Sequence, residues 1–262
     1  MNKLTNAIAG IVLSAGLGVA AQAADVAEPL KGTWSLNNWV PGDSVHLKLA
    51  FRKGSSRSEW GNDQRLADLR GLTVEQLHAA HSSVAFTMQR DAGTFSFDGS
   101  LTLGLGRGEF RFVPDPLYVT KLEVLGYGEI EGDDVSIMFM AVRDVSLAFA
   151  SEVKFSGLKD VRVSDLLRLK DHGVDLTFIR AIATIGATNL TADDVVRFRD
   201  HGIDGEFVRG LKSAGVSVMA ADDIIKLHDH GVRPEYVARI QSAGYADLTV
   251  DQIIKLHDHG VD

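Results

Sequence analysis

Two hydrophobic rhythms divide the chain. Between residues 30 and 113 apolar side chains fall on every second position. Val45, Leu47, Leu49 and Phe51 alternate with His46, Lys48, Ala50 and Arg52. The same alternation marks Trp34 and Leu36; Val84, Phe86 and Met88; Phe95 and Phe97; Leu101, Leu103 and Leu105; and Phe110 and Phe112. A period of two predicts strands with one buried face, and turns at Asp91-Ala92-Gly93 and Gly106-Arg107-Gly108 predict an antiparallel meander. Leu72 to His81, with Thr73 just ahead of Gln76 at capping-box spacing, predicts one short helix inside it.

Beyond residue 114 the rhythm becomes helical and repeats. Asp-His-Gly begins at Asp171, Asp200, Asp229 and Asp258, an unbroken period of 29 positions. An apolar residue follows each glycine (Val174, Ile203, Val232, Val261), and an aromatic follows in register at Phe178, Phe207 and Tyr236. Glycine recurs at Gly186, Gly215 and Gly244. Residues 222–232 match 251–261 at ten of eleven positions. Each unit predicts two helices. The first carries a stripe such as Val195, Val196 and Phe198, opens on Thr191 with Asp194 or Thr249 with Gln252, and stops at a glycine. The second carries Phe207, Val208 and Leu211, or Tyr236, Val237 and Ile240 behind Pro234. Helices this short cannot bury their faces alone, so stacking into an α-solenoid is expected. Tyr118 with Gly126, and Asp133 to Val142, predict degenerate units ahead of the first triplet. The final stripe has no second helix from its own unit; it either packs back on the preceding unit or offers an edge to another chain.

The expectation is therefore an α+β protein: a signal peptide at 1–23, an antiparallel β domain at 24–113 and a helical-repeat domain at 114–262. Lys3, the apolar run Ala7 to Ala21 and Ala21-Gln22-Ala23 have the three-part layout of a secretory signal, which predicts a periplasmic or secreted protein. The formal net charge is −8, which argues against nucleic acid or anionic lipid as partner. With no cysteine, disulfides, thiolate metal sites and cysteine nucleophiles are excluded.

Several residue sets invite chemistry. Asp beside His suits acid–base work or metal ligation, yet four equivalent copies suit helix capping better, with His at the carbonyl end of the dipole and Asp on a neighbour's backbone N–H groups. His228 with His230, and His257 with His259, could converge on a metal between units; no metal or cofactor is expected. His78 and His81 could share a helix face. Gly104-Leu105-Gly106-Arg107-Gly108 reads as a hairpin turn rather than a phosphate loop, since it opens no helix. Trp34, Trp39 and Trp60 suit sheet packing better than ligand binding. Arg168, Arg197, Lys226 and Lys255 form one basic line, and Lys170, Arg199, His228 and His257 a second. These are either a solvated face with i,i+4 acid pairs or a ladder gripping an extended acidic partner; the first line is the candidate partner-binding set. No HExxH or GxSxG motif occurs.

The strings LRGLTVEQL, VAFTMQRDAGTFSFDGSL and GLGRGEFRFVPDP, the LGY stop and the DHGV units together resemble a module of bacterial envelope regulators. The module is the extracytoplasmic tail of beta-lactam-sensing-type antirepressor membrane metallopeptidases and of anti-sigma-like envelope proteins. The resemblance covers nearly the whole chain beyond residue 23. It implies a stand-alone sensing or docking module. The peptidase's HExxH zinc motif is missing, so no catalytic residue carries over. The resulting expectation is a non-enzymatic scaffold that binds a protein of the cell envelope, with no nucleic acid, no membrane insertion after signal cleavage, and self-association possible through the last unit. The alternative is a periplasmic sensor holding a small ligand or cell-wall fragment at the β domain or its junction with the helices.

Overall fold

A computed structural model describes residues 29–261 except 39–41, 129, 131, 186–188, 216–219 and 246–247. The signal-peptide segment, Trp39, Gly186 and Asp262 lie outside the described residues. The fold is α+β, a seven-stranded antiparallel sheet followed by helices.

The strands are β1 (Leu30–Asn37), β2 (Ser44–Lys53), β3 (Ser56–Arg65), β4 (Leu69–Arg70), β5 (Ser82–Arg90), β6 (Gly93–Thr102) and β7 (Leu105–Pro114), in the order β3-β2-β1-β7-β6-β5-β4. The edge strands β3 and β4 are joined by one helical turn at Leu66–Asp68, so the sheet curls into an open barrel whose two edges approach without pairing. Arg90 of β5 completes the approach, donating to Gln64 of β3 at 3.0 Å and to Asp68 at 3.2 Å. The even-spaced apolar residues fill the inside, except Leu103 and Leu105, expected in the same alternation but exposed at the reversal between β6 and β7. Trp34 meets Phe86 edge-on at 5.3 Å, Phe86 stacks on Phe97 at 4.6 Å, and Phe95 packs on Phe112 at 4.6 Å. Burying each such ring stabilises the fold by about 1.5–3 kcal/mol.

Glycine makes room for the tryptophan. A Cβ on Gly106 would stand 2.6 Å from the Trp34 ring, one on Gly99 2.8 Å, and one on Gly108 2.7 Å from its Nε1. The indole N–H, buried among them, donates to the Asp98 carbonyl at 3.1 Å. This corrects the expected turn at Gly106–Gly108. The chain reverses at Leu103 and Gly104, whose φ values are 49° and 81°, and Leu103 is 69% exposed. Gly106 and Gly108 lie inside β7, where a side chain would displace Trp34. Strand β3 has no apolar alternation to announce it: its sequence SRSEWGNDQR is polar because it is an edge, with Trp60 half-buried opposite Leu49.

Helix α1 (Val74–His78) lies between β4 and β5, capped reciprocally by Thr73 and Gln76. His81 falls beyond its end, so His78 and His81 do not share a helix face as expected. After β7 come α2 (Tyr118–Leu122), α3 (Asp134–Val142), α4 (Leu147–Phe155), α5 (Val163–Asp171), α6 (Leu176–Ile185), α7 (Ala192–Asp200), α8 (Gly205–Ser213), α9 (Ala221–Asp229), α10 (Pro234–Ser242) and α11 (Val250–Asp258). From α3 onward alternate helices begin at one constant interval, that of the sequence triplets. Each packs against the helix two further along: α2, α4, α6, α8 and α10 in one file, α5, α7, α9 and α11 in the other. Helix α11 packs back on α9, burying Ile253 and Ile254, while Val261 is 44% exposed.

Helix α3 occupies a first-helix position but packs on β6 and β7, with Phe139 5.9 Å from Phe51 at the end of the barrel. The seam is tied by Asp91 Oδ2, which accepts from Leu147 N at 2.8 Å, and by Asp115 N donating to Ala92 O at 3.0 Å. Tyr118, fully buried, donates its hydroxyl to the Val145 carbonyl at 2.6 Å. Burial, with the nearby charges of Asp91 and Asp144, pushes its pKa up, so the phenol stays protonated.

Gly108→Ala is expected to cost about 1–3 kcal/mol in urea denaturation, because its Cβ would run into the Asp98 carbonyl and the sheet cannot yield without moving Trp34. Tyr118 generates a pH prediction. Its folded pKa lies above the unfolded value of about 10, so its contribution is complete below pH 10 and is lost as pH rises beyond it. Tyr118→Phe is expected to lower stability by about 1 kcal/mol at pH 8 and to flatten the alkaline loss; an unchanged slope above pH 10 would contradict the assignment.

Candidate interaction surface

The triplet Asp-His-Gly ends each of α5, α7, α9 and α11. Its glycine is the conformational stop: Gly173, Gly202, Gly231 and Gly260 have φ of 71°, 76°, 68° and 70°. That left-handed residue lets the next N–H turn back on the helix, as Ile203 N does to Phe198 O at 2.9 Å and Val232 N to Leu227 O at 2.9 Å.

The histidine and the aspartate serve neighbours. His172 Nδ1 pairs with Asp200 at 2.6 Å, His201 with Asp229 at 3.0 Å and His230 with Asp258 at 3.0 Å. Each imidazole donates to the aspartate 28 positions ahead, in the following copy. Arg143 takes the histidine's place in α3 and pairs with Asp171. The expected aspartate contact with a neighbour's backbone N–H is therefore corrected: the carboxylates of Asp200, Asp229 and Asp258 face the preceding copy's imidazole, and that of Asp171 faces Arg143. His259 has no partner among the described residues.

The two basic lines are also links between copies. Arg168 pairs with Asp193, Arg197 with Asp222 at 2.6 Å and Lys226 with Asp251 at 3.2 Å. Each reaches 25 positions ahead, to the first turn of the next helix in its file. The hydrogen bond that Arg197 donates to Asp222 raises the pKa of its guanidinium further. Arg197 alone of the three, among the described residues, also reaches an acid on its own helix, Asp194 at 3.4 Å. Lys255 has no partner among the described residues. In the second line Lys170 lies over Phe149 and Arg199 over Phe178, both at 5.1 Å, while His228 meets Phe207 and His257 meets Tyr236 edge-on at 5.1 Å. Each aromatic stands on the helix that precedes its partner's in the chain. His228 and His230 accordingly point to different neighbours, and among the described residues no three His, Asp or Glu side chains converge as metal ligands would. Nδ1 of His228 is covered and 3.8 Å from Asp229, too far for a hydrogen bond.

Comparison with family models, with curated proteins and with solved structures returns no match. What the geometry offers is a pair of ion-pair files along the first-helix row, exposed to solvent, and an apolar seam behind them. Among the described residues no helix is long and apolar enough to cross a membrane. The barrel interior around Trp34 is filled. The sequence pattern singled out the triplets and both basic lines, though not Arg143, and did not pair them with their partners in neighbouring copies. The signal was present as a constant offset: a cation or imidazole, and an acid 25 or 28 positions later, in successive copies.

A double-mutant cycle on His201→Ala and Asp229→Ala is expected to return a coupling of about 0.2–1 kcal/mol, the size of an exposed pair. The cycle on His201 and Asp200, adjacent in sequence, is expected to return none. A larger coupling within the triplet than across copies would show that the pairing is wrong.

Proposed function

We propose that the chain is an exported, non-enzymatic scaffold of the cell envelope, whose helices form an α-solenoid of 29-residue two-helix repeats presenting a surface to a protein partner. One observation carries this reading. The residues that look most catalytic, the Asp-His pairs, are spent in linking each copy to the next at 2.6–3.0 Å. A general acid–base pair must face a substrate; these face each other at three equivalent junctions. What such a ladder does is hold a row of helices at fixed spacing, and repeat proteins bind through the continuous surface so produced.

Arg168, Arg197, Lys226 and Lys255 remain the candidate partner-binding line. Three are already matched by aspartates, so the surface they present is alternately basic and acidic, which suits a protein with mixed charges better than a uniformly acidic one. Lys255 and His259, with no partner among the described residues, and the exposed Val261 form the surface we assign to self-association. The reading as a small-ligand sensor asks for a cleft lined by Trp34, Trp39 or Trp60; Trp34 is packed in glycine and phenylalanine, and Trp60 is packed on the core.

The test is affinity capture from envelope extract with the chain as bait, beside a variant lacking residues 249–261 and one carrying Arg168→Gln, Arg197→Gln and Lys226→Gln. Loss of one defined partner in both variants, with the β domain still folded by near-ultraviolet dichroism of its tryptophans, is the expected result. Equal capture by all three would overturn the proposal.

A further inference from the structure

The outer face of the barrel carries a feature that the helices do not explain. In the antiparallel register Arg57 is paired with Arg52, and Lys31 with Arg111. Gly32 is paired with Phe51, so Lys31 falls beside Arg52 in the same row. Four cations therefore stand side by side across β3, β2, β1 and β7. All four are exposed, since Phe51 and Phe112, their neighbours in sequence, point into the core. Strands lie about 4.8 Å apart, so the row spans about 14 Å. Like charges directly opposite one another destabilise a sheet. Here that arrangement occurs in a chain of net charge −8.

The row is poorly compensated. Arg57 donates to Glu59 at 2.6 Å. Lys31, Arg52 and Arg111 have no hydrogen bond or ion pair among the described residues, although Glu109 lies near Arg111 on the same face of β7. Between the cations is a depression of about 340 Å³, lined by Lys31, Gly32, Thr33, Ala50, Phe51, Arg52 and Arg57. Its lining has three cations, one hydroxyl and no acid. Thr33 and Ala50, paired on this outward face, leave the floor low, with no long side chain between the cations.

We propose that this depression binds a phosphate-bearing ligand. A tetrahedral, multiply charged group has oxygens for three cations at once, and guanidinium forks match it in pairs. A carboxylate offers two oxygens in one plane and would leave one of the three cations unmatched. The like-charge cost of the empty row is what such a ligand would relieve. The site is on the opposite side of the sheet from Trp34 and is independent of the reading given to the helices. The phosphate could come from a soluble oligophosphate or phosphorylated glycan, or from a lipid headgroup.

The experiment uses tripolyphosphate in calorimetry and, separately, phosphatidylglycerol and phosphatidylcholine vesicles in sedimentation, with the purified chain, Arg52→Gln and Lys31→Gln. Both variants are expected to melt no lower than the parent at low salt, because each removes a repulsion. Tripolyphosphate binding weakened about tenfold by each substitution supports a soluble phosphate ligand. Binding to phosphatidylglycerol alone, weakened by the same substitutions, supports a headgroup. No binding to either probe, or binding equal in all three proteins, overturns the proposal.

Discussion

A helix of nine residues that hides one stripe must borrow its cover from somewhere else, and that constraint organises the C-terminal part of this molecule. Ile224, Leu227 and Val232 of one copy are fully buried, as are Val195, Phe198 and Ile203 of the copy before. None is buried by its own helix. Cover comes from the helix two places away in either direction, so stability is a property of junctions. Everything else in the copy serves the junction: the left-handed glycine that turns the chain sharply enough, the capping Thr or Asp that opens the next helix, and the cross-copy pairs that hold the spacing.

The pairs are individually weak. An exposed Arg–Asp or His–Asp contact contributes well under the value of one buried Ile. Their role is directional. An apolar seam tolerates sliding by one turn. An imidazole meeting the next copy's triplet carboxylate, a cation meeting the next copy's first-turn acid and a cation lying on a ring of the helix before agree in only one register. Three weak contacts at fixed offsets therefore specify the stacking that the apolar seam stabilises.

The barrel solves the opposite problem. Its strands have no repeat to cover them, so the sheet covers itself by curling around Trp34, and three glycines clear the slot for that ring. Helix α3 joins the two halves because it has exchanged a ladder cation for Phe139, which plugs the barrel end against Phe51. The same exchange that makes α3 look degenerate in sequence makes it the adaptor. On the barrel's outer surface the four-cation row breaks the pattern set elsewhere: among the described residues, each Arg and Lys of the helical ladders but Lys255 meets an acid or a ring, whereas three of these four have no hydrogen bond or ion pair.

Local pattern was enough for much of this. The change of period near residue 114, the starts of the repeated helices, the caps at Thr73, Thr191 and Thr249, and the glycine stops after the triplets were legible, because each depends on residues within one or two turns of one another; the end of α1 before His81 was not. Most of the inward set of the sheet was legible for the same reason; Leu103 and Leu105, which continue the alternation into the reversal after β6, are exposed instead. What tertiary structure alone decided depends on groups far apart in sequence. Which aspartate takes which histidine, whether a glycine run is a turn or a slot for a distant indole, that a polar segment is an edge strand, and that Lys31, Arg52, Arg57 and Arg111 stand in one row all follow from strand register and helix stacking. A linear pattern records the period of burial along an element, but not the neighbour against which that element is laid, and it is the neighbour that assigns each polar side chain its partner.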